Sequence, residues 1–169
     1  YLVFFIYLIS SSGSYSIDRP NINNLIIHQE KKTIGKVEFF NSKKNKESLE
    51  NYKKNLTIIN FWATWCVPCK EEMPHLDKLV SKNKFKEIKV IPINIADEKL
   101  EKSKQFFEDL KIKNLEFFYG SSLDLAKEFK LRGIPTTIFI DKEGYEFARV
   151  IGFIDFENKS FLSWLSNQI

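Results

Sequence analysis

One stretch, LTIINFWATWCVPCKEEMPHLDKL at residues 56–79, limits what this chain can fold into more than any other. Residues 57–61 are short, apolar and rich in β-branched side chains, the pattern of a strand buried on both faces, as in parallel sheets. Within a few residues the pattern becomes helical. Met73, Leu76, Leu79 and Val80 fall on one side, and Lys70, Glu71, Asp77 and Lys78 fall elsewhere. Cys66 and Cys69 sit at the change from strand to helix. A proline at position 74 lies inside the helical stretch and should bend it.

The rest of the chain supplies partners for such a unit. Residues 35–41, with Val37, Phe39 and Phe40, read as an opening strand or hairpin arm, and residues 48–53 as one helical turn. Residues 18–33 show no sustained period and read as an extended lead-in. A second core strand is expected over residues 87–96, where Pro92 conflicts with it and should bring a kink or an unpaired position. Helices are expected over 99–110, from Ser121 or Ser122 to about 129, and over 156–164. A short extended piece at 115–119 and an antiparallel pair at 136–140 and 146–151 complete the pattern. Strands separated by helices and closed by a hairpin and a helix indicate a layered α/β domain.

Residues 1–9, YLVFFIYLI, are nearly uniformly apolar but shorter than the roughly 20 residues that span a bilayer. With the small polar spacer after them, residues 1–16 are read as the remnant of a signal peptide or membrane anchor plus linker. A first strand packed into the domain is the alternative. Residues 17–169 are read as a single domain. The formal charge of +4 is spread over mixed lysines and glutamates, so no nucleic-acid groove is expected.

Cysteine usage narrows the chemistry. Two cysteines occur, both in one four-residue unit, so no disulfide framework can form. A structural zinc needs four ligands, and His28 and His75 are poor candidates to complete a set, so no metal is expected. Taken alone, Cys-x-x-Cys also fits a metal half-site, a structural disulfide or chance. Its place between a buried strand and an amphipathic helix favours a redox pair. Cys66, at the helix start, faces the positive helix end that stabilises a thiolate, so it is expected to attack. Cys69, one turn later, is expected to resolve the mixed disulfide, and Pro68 stiffens the loop without removing a needed donor.

Glu72 can share a face with Cys69 and is expected to take its proton, with a solvated glutamate like Glu71 as the alternative. His75 reads as a surface histidine. Trp62 is expected to pack beneath the helix, and Trp65 to frame the Cys66 sulfur. The Ile134-Pro135 bond is the second site of interest, because cis X-Pro bonds are rare and usually tied to a turn or a function.

NFWATWCVPCKEEMP at residues 60–74, followed by GIPTTIFIDKEG at 133–144, resembles the thioredoxin-like superfamily. The likeness is greatest to membrane-anchored bacterial thiol-disulfide proteins of the TlpA, ResA and cytochrome c maturation type, and closest to TlpA. It covers roughly residues 36–169. The resemblance implies a thioredoxin-like fold, a central mixed β-sheet flanked by helices. It implies a cis Pro135 facing the cysteine pair and an Ile134 backbone that holds a substrate strand. Trp65, Val67, Pro68, Ile134, Pro135 and Thr136 would then contact substrate, with Asn60, Trp62 and Pro74 supporting the site. Cytoplasmic thioredoxin carries a buried aspartate where this chain has Asn60, whereas Glu72 matches the glutamate of the anchored proteins.

The implied activity is a periplasmic, membrane-tethered protein disulfide reductase. It would need no cofactor beyond the Cys66–Cys69 disulfide. Its substrates would be copper-site assembly proteins of cytochrome oxidase or apocytochrome c, and a DsbD- or CcdA-type membrane protein would recharge it. A monomer is expected. Sequence leaves open a disulfide-donating oxidase, and a binding or chaperone module that uses the cis-proline groove without turnover.

Overall fold

All six residues of the strand Thr57–Trp62 are buried, so it needs covering layers on both sides. The structure, a computed structural model, describes residues 20–169 and supplies those layers. The apolar run and its spacer at residues 1–16 lie outside the described residues. Eight strands form one mixed sheet: β1 (Leu25–Lys32), β2 (Glu38–Asn41), β3 (Lys46–Ser48), β4 (Thr57–Trp62), β5 (Lys89–Asn94), β6 (Phe118–Tyr119), β7 (Thr136–Ile140) and β8 (Glu146–Ile151). Their order is β1-β8-β7-β4-β5-β6-β2-β3. Four α-helices accompany them: α1 (Val67–Ser81), α2 (Leu100–Asp109), α3 (Ser122–Glu128) and α4 (Lys159–Ser166). This is the thioredoxin fold expected from the motifs.

Alternation along β4 divides the core. Ile58 and Trp62 join the cluster that holds Met73 and Leu76 of α1, Phe106 and Phe107 of α2, and Phe161 and Trp164 of α4. Ile59 and Phe61 join the opposite cluster, with Leu125 of α3, Phe129 and Phe39. Asn60 shares the parity of Ile58 and Trp62, which sends its amide toward α1.

Pro92 causes no break in the ladder with β4. Lys89 N donates to Leu56 O and Ile95 N to Trp62 O, so the odd-numbered amides of β5 face β4. Position 92 faces the other neighbour, β6, whose pairing with β5 is confined to Ile93 and Asn94. The missing donor therefore falls beside the end of a two-residue strand, an edge-like place that proline tolerates.

Two elements differ from expectation. The lead-in is extended, but its residues Leu25–Lys32 are hydrogen-bonded in register to β8. Only Leu25 of this edge strand is buried, so it has no apolar alternation to read. The last helix starts later than residue 156. Asn158 caps it by accepting from Phe161 N at 3.1 Å, and Phe156 is buried in the turn before it.

Candidate active site

The C-terminal end of β4 presents the cysteine pair. Cys66 is the N-cap of α1, and its sulfur accepts the Cys69 N–H at 3.3 Å. Pro68 occupies the first turn, where no intrahelical donor is required. Cys66 and Cys69 are joined as a disulfide, with Cα atoms 5.2 Å apart. Cys66 is 4% exposed and Cys69 0%. Cys66 is thus the more exposed of the two and stands at the positive helix end, as an attacking thiolate requires.

The flanking residues Trp65 and Val67 are 67% and 63% exposed, an unusual pair of large apolar side chains left in water. Trp62, by contrast, is fully buried and stacks on Phe106 of α2 at 4.4 Å. Pro74 lies within α1, which continues through it to Ser81.

The second loop comes from β7. Thr136 lies opposite Phe61, so Pro135 stands at the end of β4 from which the cysteine turn departs. The Ile134-Pro135 bond is cis. Ile134 packs against the core cluster that contains both cysteines. Thr136 is buried, and its hydroxyl donates to Gly133 O at 2.7 Å, so it acts on the loop through the backbone.

Glu72 is fully buried, unlike the exposed Glu71. Its Oε1 accepts from Asn60 Nδ2 at 2.7 Å and its Oε2 from Ile154 N at 3.2 Å. Burial dominates these two hydrogen bonds and raises its pKa to about 7. A carboxyl of that pKa, three residues beyond Cys69 on one helix, can exchange a proton at neutral pH. Asn60 Nδ2 also donates to Thr137 Oγ1 at 3.1 Å, while Asn60 Oδ1 is buried with no hydrogen-bond partner among the described residues. His75 is half-buried, with Nδ1 3.0 Å from Asp155 Oδ1, on the part of α1 leading away from the sulfurs.

Sequence reasoning missed a third loop. Gly152 N donates to Pro135 O at 2.8 Å, and Asn24 Nδ2 holds Ile151 O and Phe153 O at 3.1 and 2.9 Å. Gly152 has φ +95°, a conformation that favours glycine. Phe153 is 39% exposed beside it. The one local signal was a glycine ending a strand pattern. Among the described residues no cluster of three or more His, Cys, Asp or Glu could hold a metal ion.

Comparison with known proteins fits this geometry. The AhpC/TSA family profile matches residues 31–145. The thiol-disulfide oxidoreductase ResA of Bacillus anthracis is 34% identical over 115 residues, covering 63% of this chain and 61% of that protein. The sporulation thiol-disulfide oxidoreductase A of Bacillus subtilis is 30% identical over 95 residues, 54% of this chain and 56% of that protein. The chain therefore spans 48–61% of the length of the ResA relatives it matches. Among solved structures, a DsbF homologue from Corynebacterium diphtheriae superposes with TM-score 0.71 at 20% identity, covering 88% of this chain and 96% of that one. StoA from Bacillus subtilis superposes with TM-score 0.65 at 22% identity, covering 79% and 98%. The chain belongs to the AhpC/TSA family, in a thioredoxin-fold form whose redox centre is the Cys66–Cys69 pair.

Proposed function

We propose that this chain is a thiol-disulfide oxidoreductase that reduces disulfides in partner proteins. One observation carries the reading: a nearly buried Cys66 at a helix N-terminus, flanked by exposed Trp65 and Val67, on a helix that also carries a buried carboxyl with a pKa of about 7. The Cys66 thiolate attacks one sulfur of the partner disulfide, forming a mixed disulfide and expelling the other sulfur as a thiolate that takes up a proton. Cys69 then gives its proton to the Glu72 carboxylate and attacks the Cys66 sulfur, expelling the second partner sulfur as a thiolate that takes up a proton, and Glu72 returns its own proton to solvent. The Ile134 backbone holds the partner strand beside the pair, with Trp65, Val67 and Phe153 covering it.

The ATWCVPC likeness to TlpA favours copper-site assembly proteins of cytochrome oxidase as substrates, with apocytochrome c next. The proposed setting is the bacterial periplasm, with residues 1–16 as tether and a DsbD- or CcdA-type membrane protein returning two electrons. No helix among the described residues is long and apolar enough to cross a membrane.

A Cys69→Ser variant tests the order of attack. It should accumulate partner proteins as mixed disulfides through Cys66 that dithiothreitol releases. Trapping through Cys69 in a Cys66→Ser variant instead, or by neither, would contradict the mechanism.

A further inference from the structure

A cleft of about 470 Å³ opens beside the cis-proline loop and plays no part in the exchange chemistry. Its walls come from β1, β8 and the segment after α3, and they include Arg132 and Ile151, the residues nearest the active-site end. Five lysine and arginine side chains line it against two glutamates, an excess of three positive charges before His28 is counted. The two carboxylates are already engaged. Glu128 accepts from Gly35 N at 2.6 Å, and Glu146 is held by Arg149 and His28. Of the cations, Lys31 pairs with Asp141, outside the cleft. Lys32, Lys130 and Arg132 have no carboxylate partner among the described residues, and all three are exposed.

The placement of these charges matters more than their number. Arg132 is two residues before Ile134, the residue proposed to pair with an incoming strand. At Gly133, between them, an added Cβ would meet nothing within 4 Å, so the outer side of the loop is open. A partner chain aligned on Ile134 and continuing past Gly133 would run toward Arg132 and the cleft that it lines. Nearer the cysteines, the exposed apolar side chains available to such a chain are Trp65 and Val67, with Phe153 next to the Gly152 that binds Pro135 O.

We propose that this cleft is a specificity site for acidic side chains flanking the target cysteine of the substrate polypeptide, read by Lys32, Lys130 and Arg132. The proposal rests on the reductase reading and names its substrate class: a chain apolar near the cysteine on one side and acidic on the other. Complementary charge across such a contact speeds encounter and fixes register more than it adds affinity, and salt weakens it.

The test uses the reduced full chain and two disulfide peptides that differ only in flanking Glu or Gln. At low ionic strength the Glu peptide should be reduced about fivefold faster, an advantage lost at high salt. The Lys130→Asn/Arg132→Gln double variant should lose the preference yet reduce hydroxyethyl disulfide, which is small and uncharged, at the wild-type rate. Equal rates on the two peptides, or a preference that survives in the double variant, would overturn the proposal while leaving the reductase intact. A cysteine-free Glu peptide separates the two readings further. If it shifts the Lys130 and Arg132 amide signals while neither disulfide peptide is reduced, the acidic-chain site stands and the reductase reading falls. Sedimentation with phosphatidylglycerol vesicles that depends on Lys130 and Arg132, without peptide discrimination, would overturn it in favour of a membrane-facing surface.

Discussion

Glu72 and Glu146 are two buried glutamates, 0% and 3% exposed, whose protons are held in opposite ways. Burial works against the charged form of both. At Glu146 the hydrogen bonds and charges of Arg149 and His28 outweigh it, and the pKa falls below the ordinary value. At Glu72 the donors are an amide and one backbone N–H, both uncharged, and burial wins. Burial alone does not assign a carboxyl its role; the charge of its partners does. Glu146 is a fixed anion that ties β8 to β1. Glu72, beside the cysteines, can change its protonation near neutral pH.

The largest effect that would break the contrast comes from removing the cation. Arg149→Met leaves Glu146 buried without its main partner and should cost about 3–5 kcal/mol of stability at neutral pH, measured by urea unfolding. Part of that loss should return as pH falls and Glu146 protonates, while the exchange rate per folded molecule stays unchanged.

Glu72→Gln acts on the other side of the contrast. The resolving step, followed by stopped-flow after mixed-disulfide formation, should slow about 100-fold near pH 7. Its stability effect depends on pH. Below about 4.5, Glu72 is protonated in both folded and unfolded chains and costs nothing. Between about 4.5 and 7 the unfolded chain ionises while the folded chain keeps its proton, so wild-type stability declines as pH rises. Above that window the decline is complete, and the Gln variant, free of it, should be more stable by about 3 kcal/mol relative to its position at low pH. Unfolding curves across pH check the sign.

Asn60→Asp would sharpen the contrast by setting a second carboxyl 2.7 Å from Glu72 Oε1. Two such groups titrate as a coupled pair, and the pH midpoint of the resolving step should rise by about one unit or more. The smallest effect is His28→Gln, which removes one of the hydrogen bonds to Glu146 and should cost about 1 kcal/mol without altering exchange.

What sequence could show of this arrangement follows from how local each feature is. The cysteine pair, Pro68 and the buried strand ahead of them occupy one short run, and a strand-to-helix turn is written in its own residues. Glu72 was legible as a neighbour of Cys69. Its burial was not, because Asn60, Thr137 and Ile154 come from β4, β7 and the loop after β8. Pro92 reads as a defect until the register shows which way its missing donor points. The strand β1 left no pattern, since it is held by backbone pairing to β8 and buries only Leu25. The Glu146–Arg149–His28 network spans two strands more than 100 residues apart in the chain, and no spacing rule connects them.

The reduction potential of the Cys66–Cys69 pair, equilibrated against glutathione or a protein of known potential, decides whether the pair acts as the proposed reductant. The account predicts a value near or below about −220 mV, on the side of thioredoxin at about −270 mV. A value near about −120 mV, where the strong oxidant DsbA lies, would contradict it and make the protein a donor of disulfides.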